Sequence, residues 1–225
     1  MSGLQKLSRR EFLQKTGVAS GGLVFAMNLG LPRSAAGVDA GSVAPNVYVN
    51  IRDDDVVEIY CHRSEMGQGI RTSLPQVIAD ELEADWDRIE LLQALGDAKY
   101  GDQNTDGSTS IRKQFDLLRT AGASAREMLI AAAALEWGVP AAELVARDHA
   151  VHHEASGRSA AYGDLVATAA ELEVPEDVTF KNRSDYRYIG KSMDLIDGDA
   201  MTTGTAMYGT CLLYTSDAAD DNRLV

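Results

Sequence analysis

Two short glycine-containing turns constrain the fold of this chain most strongly. The first is Glu65-Met66-Gly67-Gln68-Gly69, and the second is Thr105-Asp106-Gly107-Ser108-Thr109-Ser110. Each turn lies between a predicted strand and a predicted helix. Glycines at such positions let backbone N–H groups approach a ligand closely, and the N-terminus of the following helix adds a partial positive charge. Two such turns in one small domain favour a large cofactor that carries phosphate, with ordinary turns as the alternative.

The composition is that of a folded and acidic protein. The chain has 225 residues, of which 45% are hydrophobic; this suffices for one compact core, or for one domain plus part of another. Its formal net charge of -13, without a basic stripe, argues against partners such as nucleic acid and anionic membranes. The two cysteines, Cys61 and Cys211, have neither CxxC nor Cys/His spacing. The sequence therefore predicts neither a zinc site nor a protein-ligated iron–sulfur cluster.

The N-terminal region is typical of an export signal. Ser8-Arg9-Arg10-Glu11-Phe12-Leu13 resembles the twin-arginine motif, and a modest apolar run ending near Ser34-Ala35-Ala36 follows it. We therefore predict a twin-arginine signal region at residues 1–36, a linker at 37–45 and a periplasmic protein. The apolar run is shorter than the roughly 20 residues that a bilayer span needs. Membrane association through an uncleaved signal is left open.

Hydrophobic periodicity predicts an α+β fold. Strands are expected at residues 46–51, 56–61 and 89–94 and near Val145 and Val151, and helices from Ser73 onward and at residues 112–137 and 162–172. Ser73 is the expected N-cap of the first helix, and the acidic run at residues 80–87 is its expected solvated face. The order of elements predicts a mixed sheet with packed helices.

Neither calcium nor a common nucleotide motif explains the two turns. Residues 102–107 match the oxygen ligands at positions one, three and five and the glycine at position six of an EF-hand loop, but Lys113 stands where the bidentate glutamate is required. Gly67-Gln68-Gly69 lacks the third glycine of the dinucleotide fingerprint, and the sequence contains no GxxxxGK[ST].

Other candidate side chains have structural interpretations. His152-His153 point to opposite faces of a strand and are interpreted as surface histidines rather than a metal pair. We expect His62 to be a hydrogen-bonded loop histidine and Glu65 a structural or solvated carboxylate. Cys61 is expected to be a small buried hydrophobe.

The two turns and the alanine-rich helix after them resemble the molybdenum-cofactor-binding subunit of the xanthine dehydrogenase/aldehyde oxidase family. Leu74-Pro75-Gln76-Val77-Ile78-Ala79-Asp80-Glu81-Leu82 and Ala84-Asp85-Trp86 are similar to the exported branch typified by isoquinoline 1-oxidoreductase beta subunits. The resemblance covers about residues 8–209. It implies part of a molybdopterin-binding domain at residues 46–175, then a linker and the truncated start of a second domain at 176–209.

The resemblance also implies a cofactor and a reaction. Molybdopterin cytosine dinucleotide would be held by Gly67, Gln68 and Gly69, and its pterin or phosphate part by Gly107, Ser108, Thr109 and Ser110. The dithiolene sulfurs of the cofactor would ligate the molybdenum, so no metal ligand is expected from the protein. The implied reaction is hydroxylation of N-heteroaromatics or aldehydes with water-derived oxygen. Electrons would leave through a small subunit with two iron–sulfur clusters, with a cytochrome c as a candidate acceptor.

Two departures from the family pattern qualify this interpretation. Asp106 stands where the family usually has a glycine and places a negative charge near the expected phosphate. The resemblance stops at Gly209, and the catalytic glutamate is expected in a missing C-terminal part. We therefore assign no catalytic residue, interpret residues 210–225 as a non-native tail and expect the chain alone to be inactive. An exported binding or scaffold protein without molybdenum is the alternative function.

Overall fold

The computed structural model describes residues 42–175 and 177–207. Its strands are β1 (Ser42–Asn46), β2 (Val49–Arg52), β3 (Val57–Cys61), β4 (Ile89–Gln93), β5 (Leu144–Arg147), β6 (Ala150–His153) and β7 (Arg158–Ala161). Its α-helices are α1 (Ile70–Leu82), α2 (Phe115–Trp137), α3 (Val166–Ala169) and α4 (Gly198–Thr203). Short 3₁₀ turns lie at Trp86–Arg88, Ala98–Tyr100, Ala141–Glu143, Gly163–Leu165 and Arg183–Asp185. The predicted signal region, residues 37–41 of the linker and the predicted tail lie outside the described residues.

The strands form two sheets. The first has the order β1-β2-β3-β4, in which β3 and β4 are parallel and the other neighbours are antiparallel. Helix α1 makes the crossover between β3 and β4, as parallel neighbours require. The second sheet is the antiparallel meander β5-β6-β7. The predicted α+β class with a mixed sheet is confirmed.

The predicted first strand at residues 46–51 is wrong, because the chain turns within it. The Asn46 side chain accepts a hydrogen bond from the backbone N–H of Tyr48 at 3.0 Å, and Asn46 pairs with Val49 across the turn. Asparagine side chains commonly form such turns. The segment therefore divides into β1 and β2, and β1 includes residues 42–45, which the sequence interpretation placed in a linker.

Helix α1 begins three residues earlier than predicted. Ser73 does not cap it; the Ser73 hydroxyl instead donates to the carbonyl of Gly69 at 2.7 Å. The N-cap is Gly69, whose φ of 82° is in the left-handed region that glycine tolerates. The last predicted helix, residues 162–172, is also wrong in extent, since it is reduced to one 3₁₀ turn and the four residues of α3.

Helix α2 packs directly against α1 through small side chains. Its C-terminus at Gly138, with φ 65°, is as predicted. A Cβ atom added at Gly122 would lie 2.5 Å from the carbonyl oxygen of Ile78, so glycine is what permits this close approach. The helices enclose a core with the first sheet, and Ile51, Ile59, Leu74, Leu82, Leu118, Met128 and Leu129 are among its fully buried members.

The acidic run of α1 is not a solvated face: Asp80 and Glu81 are both 0% exposed. Glu81 accepts hydrogen bonds from Arg119 Nε at 2.6 Å and Arg126 Nη1 at 3.2 Å, both on α2. It also accepts the backbone N–H of Lys181 at 3.1 Å. A buried carboxylate is tolerated when cations and donors surround it in this way.

Hydrogen bonds to Asp80 hold the extended segment after residue 177 against α1. Its carboxylate accepts the Lys181 ammonium at 2.8 Å and the backbone N–H groups of Arg187, Tyr188 and Ile189 at 3.2, 2.9 and 2.8 Å. Burial opposes ionisation of Asp80, but these donors together outweigh it and lower the pKa of its carboxyl group. The prediction of a solvated face is wrong because the partners lie about 40 to 110 residues away in sequence.

Within residues 42–175 and 177–207, none of the helices combines the length and the apolar character needed to cross a bilayer.

Gly122→Ala tests the contact between the helices. The new methyl group must displace the α1 backbone, and we expect unfolding free energy to fall by about 1 to 3 kcal/mol. Gly96→Ala is the matched control, because an added Cβ there has no neighbour within 4 Å. Urea denaturation of the chain measures both. If both variants had the same urea denaturation midpoint, the close contact at Gly122 would not contribute to stability as expected.

Asp80→Asn tests the attachment of residues 177–189. Removal of the charge weakens the hydrogen bonds from the backbone N–H groups of residues 187–189 and from the Lys181 ammonium, which keeps Glu83 as a second partner, so we expect a loss of about 1.5 to 3 kcal/mol. Amide exchange at residues 187–189 should accelerate, as measured by hydrogen–deuterium exchange mass spectrometry. Asp87→Asn, at an exposed position of the same acidic run, is the control. Unchanged protection in Asp80→Asn would refute the role of this carboxylate.

Candidate functional site

The two glycine turns meet at one edge of the first sheet. The first turn follows β3, and the second lies in the loop after β4. The backbone N–H of Ser64 donates to the Thr105 hydroxyl at 3.0 Å, which joins the two loops directly. Because β3 and β4 are parallel, both loops leave from their carboxyl ends, where open sheets of this kind commonly bind ligands.

Glu65 organises the first turn. Its carboxylate accepts the backbone N–H groups of Gly67 at 2.7 Å, Gly69 at 3.0 Å and Arg71 at 3.0 Å. Partial burial opposes ionisation, but the N–H groups of Arg71, Gly69 and Gly67 outweigh it and lower the pKa of Glu65. The structural interpretation of Glu65 is confirmed. The glycine N–H groups that the sequence analysis offered to a ligand are thus already bonded to this carboxylate.

The rest of the first turn is also internally bonded. Gln68 donates through Nε2 to the carbonyl of Ser64 at 2.9 Å, and its Oε1 accepts the N–H of Met66 at 2.6 Å. Gly67 and Gln68 are exposed, whereas Gly69 is buried. A Cβ atom at Gly69 would lie 2.7 Å from Leu195 Cδ2, so residues near Leu195 cover this end of the turn.

The second turn exposes its backbone but uses its threonine internally. Gly107 and Ser108 both have left-handed φ angles, of 50° and 56°, and both are exposed. The N–H and the hydroxyl of Thr109 donate to the Asp106 carbonyl at 3.0 and 2.9 Å, and Ser110 is half-buried. Helix α2 begins only at Phe115. The expectation that this turn lies directly ahead of a helix is therefore wrong, since residues 111–114 separate them. The helix dipole acts only near its first turn, so it adds little positive charge at Gly107 and Ser108.

Arg63, next to the first turn, is the residue that the sequence analysis missed. Its side chain is 0% exposed, and Nε, Nη1 and Nη2 have no hydrogen-bond partner in the described part of the chain. Asp102 Oδ2 lies 3.3 Å from Nη2, which is an ion pair without hydrogen-bond geometry. Strand β3 buries Val57, Ile59 and Cys61, and continuing this alternation places position 63 inside.

His62 is buried as well, and its interpretation as a hydrogen-bonded loop residue is wrong. It is 1% exposed, and neither ring nitrogen has a hydrogen-bond partner among the described residues. Its ring packs against Tyr48 with 5.0 Å between centroids. Burial, aided by the Arg63 cation, lowers the pKa of His62 to about 4. Cys61 is fully buried, as predicted, and burial raises the pKa of its thiol.

The histidine His153, on the β6–β7 hairpin, has two polar side chains beside it. His153 is buried, contrary to its interpretation as a surface residue. Its Nδ1 lies 2.7 Å from Ser156 Oγ and its Nε2 3.1 Å from Glu143 Oε2. This order resembles a hydrolytic triad, but the nearby N–H of Gly157 donates to the Glu154 carbonyl rather than facing an oxyanion. The cluster stabilises the turn.

Three or more histidine, cysteine or carboxylate side chains that could hold a metal ion do not come together anywhere in the described ranges. The donor set at the sheet edge is different in kind. It consists of the buried, unbonded guanidinium of Arg63 and the exposed backbone of the second turn at Gly107 and Ser108. This set fits an anionic, oxygen-rich group such as a phosphate.

The buried state of His62 predicts a pH dependence of stability. Its pKa rises from about 4 in the folded chain to about 6.5 on unfolding, so the unfolded state gains the proton first. The contribution of neutral His62 to the free energy of unfolding is fully present above about pH 6.5. It decreases as the pH falls toward 4, by about 2 kcal/mol between pH 7 and 5. His62→Gln should remove this part of the loss, measured by urea denaturation at both pH values.

His152→Gln is the matched control for this measurement. His152 is only half-buried, and its Nε2 lies 3.1 Å from the Arg147 carbonyl. Any contribution from His149, whose pKa is also lowered by burial, is shared by both variants. Identical pH dependence in His62→Gln and the unmodified chain would show that His62 is not the responsible group.

A family model and several curated proteins are similar to this chain over most of its length. The model of the molybdopterin cofactor-binding domain matches residues 3–214. The isoquinoline 1-oxidoreductase beta chain of Brevundimonas diminuta is 35% identical, covering 91% of this chain and 32% of that protein. The membrane-bound aldehyde dehydrogenase [pyrroloquinoline-quinone] of Gluconacetobacter polyoxogenes is 32% identical, covering 90% and 27%. A nicotinate dehydrogenase subunit of Pseudomonas putida (strain KT2440) is 30% identical, covering 89% and 17%.

The chain spans about a third or less of these curated relatives. The family model, in contrast, matches nearly the whole chain and includes both glycine turns and Arg63. The predicted resemblance is confirmed: the chain belongs to the molybdopterin cofactor-binding domain family.

Proposed function

We propose that this chain is part of the large subunit of an exported molybdenum hydroxylase. The whole protein would bind molybdenum with molybdopterin cytosine dinucleotide and oxidise N-heteroaromatics or aldehydes with water-derived oxygen. Family membership supports the molybdopterin, and the names of the B. diminuta and P. putida relatives support N-heteroaromatic substrates. The name of the G. polyoxogenes relative supports aldehydes.

The observation that carries the proposal is the junction of the two turns within the matched region. The hydrogen bond between Ser64 and Thr105 places Gly67-Gln68-Gly69 and the segment 107–110 at one sheet edge. In this proposal both turns hold the cofactor, which supplies the oxygen-transfer and redox chemistry when bound. The chain itself binds and orients it through the exposed backbone of Gly107 and Ser108 and the Arg63 cation.

The partners and location follow from the same proposal. Electrons would pass to a small subunit with two iron–sulfur clusters and from there to an acceptor such as a cytochrome c. The twin-arginine motif at Arg9-Arg10 supports export of the folded protein to the periplasm. The catalytic glutamate would lie in the remaining part of the large subunit, since the chain spans only 17 to 32% of its curated relatives.

Metal and nucleotide analysis tests this function. The whole large subunit, co-expressed with its small subunit and isolated from the periplasmic fraction, should contain equimolar molybdenum by mass spectrometry and CMP released by acid hydrolysis. The 225-residue chain alone is the control and should show no turnover of N-heterocycles or aldehydes with a dye acceptor.

Three results would count against the proposal. Absence of both molybdenum and CMP from the complex would favour the non-catalytic scaffold. Extraction of pyrroloquinoline quinone instead would favour the cofactor in the name of the G. polyoxogenes relative. Turnover by the isolated chain would place the catalytic group within it.

A further inference from the structure

We propose that Arg63 is the anion-binding residue of this site. Until a phosphate group of the cofactor binds, the Asp102 carboxylate occupies the position beside Arg63 that the phosphate would take. This inference rests on the proposed function, and it assigns the phosphate to a residue outside both glycine turns. The ligand chemistry is that of a diphosphate ester, as in a dinucleotide cofactor.

The guanidinium of Arg63 lacks the partners that a buried cation needs. All three of its nitrogens are buried without hydrogen bonds among the described residues, although the group carries five N–H donors. By comparison, the buried Glu81 carboxylate has two arginines and a backbone N–H around it. A buried charge without such compensation is costly, so an anionic partner would stabilise it.

The backbone around Arg63 is held by hydrogen bonds on both sides. Gln93 Nε2 donates to the carbonyls of Cys61 at 2.9 Å and of Arg63 at 3.3 Å. The following residue, Ser64, is bonded to Thr105. These bonds hold the backbone of Arg63 beside the junction of the two turns, and its side chain is fully buried there.

Asp102 is suited to exchange with an incoming anion. Its side chain is 52% exposed, and its contact with Arg63 is an ion pair at 3.3 Å without a hydrogen bond. Its other carboxylate oxygen accepts the N–H of Asn104 at 2.9 Å, so the loop can keep its turn without the ion pair. A phosphate oxygen could accept the hydrogen bonds that Asp102 does not.

Neither glycine turn provides the positive charge that a phosphate requires. In the first turn, the N–H groups of Gly67 and Gly69 are bonded to the Glu65 carboxylate. The second turn carries Asp106. Arg63 is a buried cation at the point where the turns meet, next to the neutral ring of His62, whereas Lys113, whose charge also acts on Asp102, is exposed.

Titration of the 225-residue chain with inorganic pyrophosphate tests the exchange. By isothermal calorimetry at low ionic strength and pH 7.5, the unmodified chain should bind pyrophosphate in preference to sulfate. Arg63→Gln should weaken binding by about 10- to 100-fold, the worth of charged hydrogen bonds. Asp102→Asn should strengthen binding several-fold because it removes the competing carboxylate while keeping the oxygen that accepts Asn104 N–H.

Arg158→Gln is the matched control, since Arg158 is an exposed arginine at the start of β7, in the other sheet. It should leave the affinity unchanged. Equal binding by Arg63→Gln and the unmodified chain would overturn the proposal, as would equal affinity for sulfate. If Arg63→Gln does not fold by circular dichroism, Asp102→Asn decides the matter: unchanged affinity in that folded variant overturns the exchange.

The cofactor content of the whole subunit separates this inference from the proposed function. If the unmodified complex contains molybdenum and CMP and Arg63→Gln contains as much of both, the role of Arg63 is wrong while the proposed function stands. If the unmodified complex contains neither, but the chain binds pyrophosphate through Arg63, the proposed function fails and the anion site stands.

Discussion

The structure depends on two adjacent carboxylates, Asp80 and Glu81, that are buried in α1. Glu81 binds the two arginines of α2, and Asp80 binds the backbone of residues 187–189. One helix thereby holds a second helix on one side and an extended segment on the other. The close contact at Gly122 occurs on the same face, since its added Cβ would also lie 2.8 Å from Glu81 Cβ. The ion pairs of Glu81 and the close packing at Gly122 therefore hold the same two helices together.

The same helix connects this arrangement to the candidate site. Its N-terminus is the first glycine turn, where Glu65 accepts the N–H of Arg71. Arg71 also pairs with Asp197 at 3.1 Å, and the Thr72 hydroxyl accepts the N–H of Ile196 at 2.9 Å. The chain after residue 177 thus contacts both ends of α1, and the position of the turn depends on contacts more than 100 residues away in sequence.

Local pattern was sufficient for much of the fold and insufficient for most of the site. Strand β3 and the end of α2 at Gly138 follow from alternation and from glycine chemistry, which act over a few residues. The burial of Asp80 could not be predicted, because its donors come from distant backbone. The start of α1 was missed because a side chain, Glu65, takes the role expected of Ser73. The burial of Arg63 could have been predicted, since the alternation of buried residues in β3 continues to position 63.

The bonding of Glu65 to the first turn also has an entropic consequence. Three backbone N–H groups are fixed by one carboxylate, so the turn adopts its shape when the chain folds. The conformational freedom of Gly67 and Gly69 is then lost on folding and does not have to be lost again on association. A ligand that meets this preorganised loop needs less intrinsic affinity than one that must first order two free glycines.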